Sequence, residues 1–300
     1  MTRFADLELL LRTADLGSLT AASKALDWSP AAASAAVQRL EAALGVPLFI
    51  RTTRSLRLSP EGERYVPHAR RALQALADAQ EAALGTPTAL RGLLRVSITS
   101  DLGRHVLLPW LIDFQRQHPS LQLGLSVGDY LSDMLRSPVD VAIRYGAPAD
   151  SSLIAQPLLK EHRRVLVAAP AYLAAHGQPQ SAADLYRHNA LRFMVGGQIP
   201  SAWRLQIDGK WQDVPVRGDR FADDGEIVKR WLLAGLGLAY KARLDVVDEI
   251  ADGRLIHVRP QWLGEELPLN LVVPNRRQLS PPVRQLRDWL ATKVAARAGV

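Results

Sequence analysis

The apolar periodicity of this 300-residue chain changes once, near residue 90, and that change sets the architecture. Before it the pattern is helical almost throughout. Leu7, Leu10, Leu11 and Ala14 recur at helical spacing as far as Gly17, and Ser18 is placed to cap a second helix over about 19–26. The turn Asp27-Trp28-Ser29 leads to Pro30, and a proline behind a capping serine predicts a third helix over about 30–44, closed by Gly45. Two short extended pieces, about 48–51 and 55–58, predict a small hairpin carrying Arg51, Arg54 and Arg57. Ser59-Pro60-Glu61 then starts an Ala-rich helix to about residue 84, whose length of roughly 37 Å calls for a partner helix. Gly85-Thr86-Pro87 reads as a linker.

Beyond the linker, strand-like and helical runs alternate. Residues 93–99, 121–127 and 139–144 read as strands, with helices over about 103–117 and 131–136 between them. A second alternating block opens at 163–169 and contains a helix over 223–234 and a strand over 236–240. A strand at 267–273 and a helix at 282–296 end the pattern. Alternation of this kind predicts βαβ units and a largely parallel sheet. With 48% apolar and 22% charged residues, the chain can build a sizeable core and does not read as disordered. It has no cysteine, which excludes a disulfide scaffold, a Cys-ligated metal site and a catalytic thiol, and suits a reducing compartment. Asp6 and Glu8 interrupt the first residues, so no secretory leader is expected. No apolar run of about 18 residues offers a membrane span, and the expected location is the cytoplasm.

Three short helices followed by a basic hairpin make a winged helix-turn-helix, a unit whose work is to set a helix in the major groove. The first turn of that helix must let the backbone approach DNA. Ser29, Pro30, Ala31, Ala32 and Ser34 are small enough, and the free N–H groups there suit a phosphate. Gln38 and Arg39, further along, could reach a base edge or a phosphate. Net charge is +7, and residues 35–71 hold seven arginines against three glutamates, so positive charge gathers on the third helix, the hairpin and the start of the long helix. An arginine cluster alone is commonly a solvated face; beside this pattern it reads as a phosphate contact. Phe4, Leu7, Leu10, Leu40, Leu44, Leu48 and Phe49 are the expected core of this small domain. Trp28 reads as core, with contact to a sugar as the alternative.

Residues 4–65 resemble the DNA-binding domain of the LysR-type transcriptional regulators. The carrying residues are Leu19-Thr20-Ala21-Ala22-Ser23-Lys24-Ala25-Leu26, Ser29-Pro30-Ala31-Ala32-Ala33-Ser34 and Arg39-Leu40-Glu41. Leu44-Gly45-Val46-Pro47-Leu48-Phe49, Arg51 and Leu58-Ser59-Pro60-Glu61-Gly62 complete the set. The resemblance extends along the whole chain, since the family follows a long linker helix with an α/β sensor. It implies DNA contact by Ser29, Pro30, Ala31, Ala32, Ser34, Gln38, Arg51 and Arg54. It also implies a homodimer through the long helix, or a homotetramer, on double-stranded DNA with an interrupted inverted repeat. Ala35 and Ala36 stand where many members carry polar or basic residues, which shifts recognition toward DNA shape. The implied fold class is α/β overall: a winged helix-turn-helix over 1–59, a linker helix over 60–86 and a periplasmic-binding-protein-like effector domain over 87–300. In that domain the chain crosses twice between subdomain I (about 92–162 plus 267–300) and subdomain II (about 163–266).

The resemblance implies a small-molecule effector in the cleft between the subdomains, and ligands of parallel sheets lie beyond the strands' carboxyl ends. Thr99, Ser100 and Asp101 end the first strand, Gly128 and Asp129 the second, and Arg144 and Tyr145 the third. Subdomain II offers Met194, Gly196, Phe221 and Asp223. Arg144 is the strand-end cation and would pair either with an anionic effector or with Asp101, Asp129 or Asp140. Asp223 reads first as a helix cap. No cofactor and no metal are expected, and a small organic anion is the effector class suggested. The seven histidines show no metal-ligand spacing, and no GxSxG elbow, P-loop, complete GxGxxG motif or acid/base carboxylate pair occurs. The reading is therefore a non-enzymatic, effector-modulated transcriptional regulator. Its rivals are a cytosolic small-molecule-binding module and an α/β enzyme without specific DNA binding.

Overall fold

The computed structural model describes residues 3–51, 56–84, 90–129, 139–148, 153–274 and 280–299. The chain forms two compact units, Met1–Thr88 and Ala89–Val300. The first comprises α1 (Phe4–Leu16), α2 (Leu19–Ala25), α3 (Pro30–Leu44), a wing of β1 (Phe49–Arg51) and β2 (Leu56–Leu58), and α4 (Pro60–Leu84). Local chemistry sets the boundaries. Gly17 and Gly45 close α1 and α3 in the left-handed conformation that glycine adopts freely. The hydroxyls of Ser18, Ser29 and Ser59 each accept an N–H three residues on, from Ala21 (3.2 Å), Ala32 (3.2 Å) and Gly62 (2.9 Å). Glu41 Oε1 accepts from the N–H groups of Leu48 and Phe49, so the end of α3 anchors the wing.

Leu7, Leu10, Val37, Leu40 and Leu48 share one core with Val66 and Ala69 of α4. Two expected core residues are outside it: Phe4 is 56% and Leu44 39% exposed. They occupy the first residue of α1 and the last of α3, past the ends of the packed faces. Trp28 is half-buried and packs against the core. Gly62 sits so close to the wing that an added Cβ would lie 2.1 Å from Leu48 O. Gly62→Ala is expected to cost about 1–3 kcal/mol through that backbone clash, seen as a lower denaturation midpoint for the first unit. An unchanged midpoint would show that the contact relaxes freely.

In the second unit, β3 (Gly92–Ile98) leads into α5 (Ser100–Leu102), a π-helical segment (Gly103–Leu107) and α6 (Leu108–Gln117). The helical stretch thus begins directly after the strand, before the expected residue 103. β4 (Leu121–Val127), β5 (Val141–Tyr145) and β6 (Leu153–Leu159) follow. The expected helix over 131–136 and the linker at 85–87 lie outside the described residues. The chain then builds β7 (Arg164–Ala168), β8 (Asn189–Phe193), β9 (Ala202–Ile207), β10 (Lys210–Pro215), β11 (Arg217–Ala222), β12 (Leu238–Ala242), β13 (Ile256–His257) and β14 (Leu263–Gly264). It returns to the first sheet with β15 (Leu269–Pro274).

The two five-stranded sheets have orders β4-β3-β5-β15-β6 and β11-β8-β12-β7-β13. They are mixed, which corrects the expectation of a largely parallel sheet. β3 pairs in parallel with β4 and β5, and β8 with β11 and β12, but β15 and β7 are antiparallel to both of their neighbours. The reason is that β7 and β15 enter directly from the crossings and not through a crossover helix, so they run the opposite way. A third, antiparallel sheet, β10-β9-β14, adds to the expected pattern. The crossings lie side by side: Arg163 bridges Glu266, Leu267 N–H donates to His162 O (2.7 Å) and Arg164 N–H to Glu265 O (3.0 Å). Among the described residues no helix is long and apolar enough to cross a membrane, and no cluster of three His, Cys, Asp or Glu is set to hold a metal.

Candidate DNA-binding face and effector cleft

One face of α3 is spent on the core through Ala33, Ala36, Val37 and Leu40. The opposite face presents Ser29, Pro30, Ala31, Ala32 and Gln38 exposed, with Ser34 half-buried. The start of the helix is therefore smooth, with the Ala31 N–H and two hydroxyls to offer. Arg39 is committed elsewhere. Its guanidinium donates to both oxygens of Asp6 (2.8 and 3.2 Å), whose side chain is almost wholly buried. Arg39 thus ties α3 to α1. Arg51 pairs with Leu56 across the wing; its side chain, and all of Arg54, lie outside the described residues.

In the second unit, the residues ending β3 meet the helix Gly225–Leu233. Ser100 Oγ donates to Asp129 and accepts the N–H of Gly225 (2.8 Å), and Asp129 also accepts from the N–H groups of Ser100 (2.9 Å) and Gly225 (2.8 Å). Asp101 faces Lys241 Nζ at 2.5 Å and Lys229 Nζ at 3.4 Å. Lys241 also donates to Gly225 O, and Lys229 pairs with Glu249 (2.8 Å). Tyr145 donates its hydroxyl to Asp245 (2.6 Å). Nearer the surface, Arg104 reaches Glu226 (2.8 Å) and Asp224 (3.3 Å). Subdomains I and II are thereby joined by buried ionic contacts.

Burial pushes the Asp101 carboxyl up to about 6, against the pull of Lys241. Burial works against the Lys241 charge too, but Asp101 and Asp245 outweigh it and hold the ammonium above its ordinary range. At neutral pH the pair is ionised on both sides. Burial, reinforced by Asp245, keeps Tyr145 a neutral donor. Because the folded Asp101 titrates above its unfolded value of 3.8, the native state binds the extra proton between those limits. The stability of the wild type relative to Asp101→Asn is therefore expected to be greatest at about pH 4 and to fall as pH rises through about 6. Paired thermal melts over that range read it, and a difference that grows with pH would overturn the assignment.

The structure thus brings together Ser100, Asp101, Asp129 and Tyr145 with partners that sequence reasoning missed: Lys229, Lys241, Asp245, Glu226 and Arg104. Thr99 lies beside them, its buried hydroxyl lacking a hydrogen-bond partner among the described residues. Gly128 N–H bonds to Ile98 O. Arg144 does not meet Asp101 or Asp129. It is 2% exposed and donates to Ser97 Oγ (2.6 Å) and Ile143 O (2.9 Å). Asp223 does not cap the helix. Asp224 does, accepting from the N–H groups of Glu226 and Ile227, because the helix starts two residues later than expected. Met194 N–H bonds to Ala222 O. Gly196 lies in an exposed turn, and Phe221 and Asp223 are exposed. Among the described residues none of these four bonds to the Ser100 cluster.

A helix-turn-helix unit followed by a two-lobed α/β domain defines a ligand-responsive DNA-binding protein. Residues 4–63 match the bacterial regulatory helix-turn-helix protein family of lysR type, and residues 87–295 match the LysR substrate binding domain. The chain is 32% identical over 294 residues to the HTH-type transcriptional regulator CrgA of Neisseria meningitidis, covering 98% of this chain and 97% of that one. It is 35% identical over 294 residues to an HTH-type transcriptional repressor of Pseudomonas aeruginosa, covering 97% and 92%. The solved structure of CrgA superposes with a TM-score of 0.61 at 30% identity over 99% of both chains. The chain belongs to the LysR family: it is a transcriptional regulator with a helix-turn-helix DNA-binding domain and a substrate-binding domain, and it is not an enzyme.

Proposed function

We propose that the protein acts in the cytoplasm as a homodimer, paired through α4, on an interrupted inverted repeat, and that a small organic anion bound at Ser100 controls it. The observation that carries the effector reading is the seat of the Asp129 carboxylate. Three donors converge on it, two from Ser100 and one from the first N–H of the helix Gly225–Leu233, so groups of both subdomains meet one carboxylate. A helix N-terminus with a hydroxyl beside it suits any carboxylate, and the unpartnered Thr99 hydroxyl adds a donor. An anionic effector would take these donors from Asp129 and change how the subdomains meet, which is the differential binding that a switch needs.

The DNA reading rests on the exposed, smooth start of α3. A DNase footprint on the DNA upstream of the protein's own coding sequence, repeated over a salt series, tests it. Protection spanning two symmetric half-sites and weakening steeply with salt supports the reading. Diffuse retention without a boundary at that DNA and at other promoters would reject it.

A further inference from the structure

The subdomains also share a cavity of about 320 Å³ at the crossings, and none of its lining residues takes part in the Ser100–Asp129–Lys241 network. Its charged wall comprises Arg163, Arg164, Arg243 and Arg297, with Glu161 as the one lining carboxylate among the described residues. Two of the guanidiniums are already neutralised: Arg163 pairs with Glu266 (2.7 Å) and Arg297 with Asp248 (2.9 Å). The other two pair with no carboxylate among the described residues. Arg164 reaches only Tyr240 O, at 3.4 Å, and stands over the Tyr240 ring. The exposed Arg243 guanidinium makes no hydrogen bond or ion pair among the described residues. The remaining wall holds His162 and His257 beside the apolar Leu244, Val247, Trp262 and Leu263.

We propose that this cavity is a second ligand site, for a compact monocarboxylate with an apolar body, its carboxylate on Arg243 and Arg164 and its body against Leu244 and Trp262. Guanidinium and carboxylate match in a two-point hydrogen-bonded fork, and desolvation by the apolar wall strengthens the pair. The histidines of the wall do not supply the charge. Burial, and then the nearby Arg243, hold His162 and His257 below the ordinary histidine range, so both are neutral at pH 7. His162 is already engaged, its Nδ1 with Leu267 O (2.6 Å) and its Nε2 accepting Leu244 N–H (3.1 Å). A ligand here would therefore touch both crossings and the helix Arg243–Ala251 at once. It would brace the hinge in one setting, whatever fills the cleft. The cavity is at the small end of ligand sites, which excludes large effectors.

The test is calorimetric titration of the full-length protein with acetate, 3-methylbutanoate, phenylacetate and neutral phenylacetamide. The expected result is binding of 3-methylbutanoate or phenylacetate in preference to acetate and phenylacetamide. That binding should weaken by about tenfold or more in Arg243→Gln and stay unchanged in Ser100→Ala. Arg243 is exposed, so its variant is expected to keep the wild-type melting temperature, which confirms that lost binding is not lost folding. The proposal is overturned if no carboxylate binds up to about 10 mM. It is equally overturned if Arg243→Gln binds as the wild type does, or if Ser100→Ala alone abolishes binding. The last result would place the ligand in the cleft and leave the reading of that site standing.

Discussion

Replacing Lys241 with methionine is expected to lower the stability of the second unit by about 3–5 kcal/mol, the usual consequence of leaving one partner of a buried pair uncompensated. Lys241 is 5% exposed and stands 2.5 Å from Asp101 and 3.7 Å from Asp245. Without it, Asp101 keeps only Lys229 at 3.4 Å, which also serves Glu249. The carboxylate must then take up a proton or remain buried and charged. For a unit of this size the loss corresponds to a fall in melting temperature on the order of 10 °C, visible by scanning calorimetry of the full chain. Asp101→Leu combined with Lys241→Met should recover most of it, because an apolar pair of similar volume avoids the desolvation cost. A loss below about 1 kcal/mol for Lys241→Met would show that the pair behaves like an exposed one and does not hold the subdomains together.

The second large effect is on DNA. Ala31→Glu places a carboxylate in the exposed first turn of α3. An acidic residue there favours the helix through its dipole, so folding should be unchanged or slightly improved. Against a phosphate backbone the same charge is repulsive, and affinity for the operator should fall by about 100-fold, a few kcal/mol. Gel-shift titrations beside a thermal melt separate the two effects. Retained affinity would mean that α3 does not enter the groove by its first turn.

What the sequence makes legible is what local chemistry decides. Ser29-Pro30 and Ser59-Pro60 mark the starts of α3 and α4, and Gly17 and Gly45 mark ends, because capping involves groups three or four residues apart. The cleft network is not legible in that way. Asp101 and Lys241 are 140 positions apart, so no spacing rule connects them. One trace does exist: Lys241 interrupts the otherwise apolar strand Leu238–Ala242, all of it buried, and a lone lysine there demands a counter-charge. The β9–β10 hairpin does have a local signal. Asp208-Gly209 lies between two alternating runs and adopts positive φ at both residues, the turn that such a dipeptide favours. Asp223 and Asp224 show the opposite limit, since both can cap and only the position of the first helical turn chooses between them.

The order β4-β3-β5-β15-β6 also has a consequence for how the chain is made. A ribosome delivers β3 to β6 early, but the strand that belongs between β5 and β6 arrives on the order of a hundred residues later, after the whole of the other lobe. Until then the nascent sheet has two unsatisfied inner edges, a state prone to wrong pairing. Loss of the last thirty residues would therefore remove the middle of a sheet and not a tail. A chain stopped before residue 269 is expected to be insoluble and not a shortened regulator.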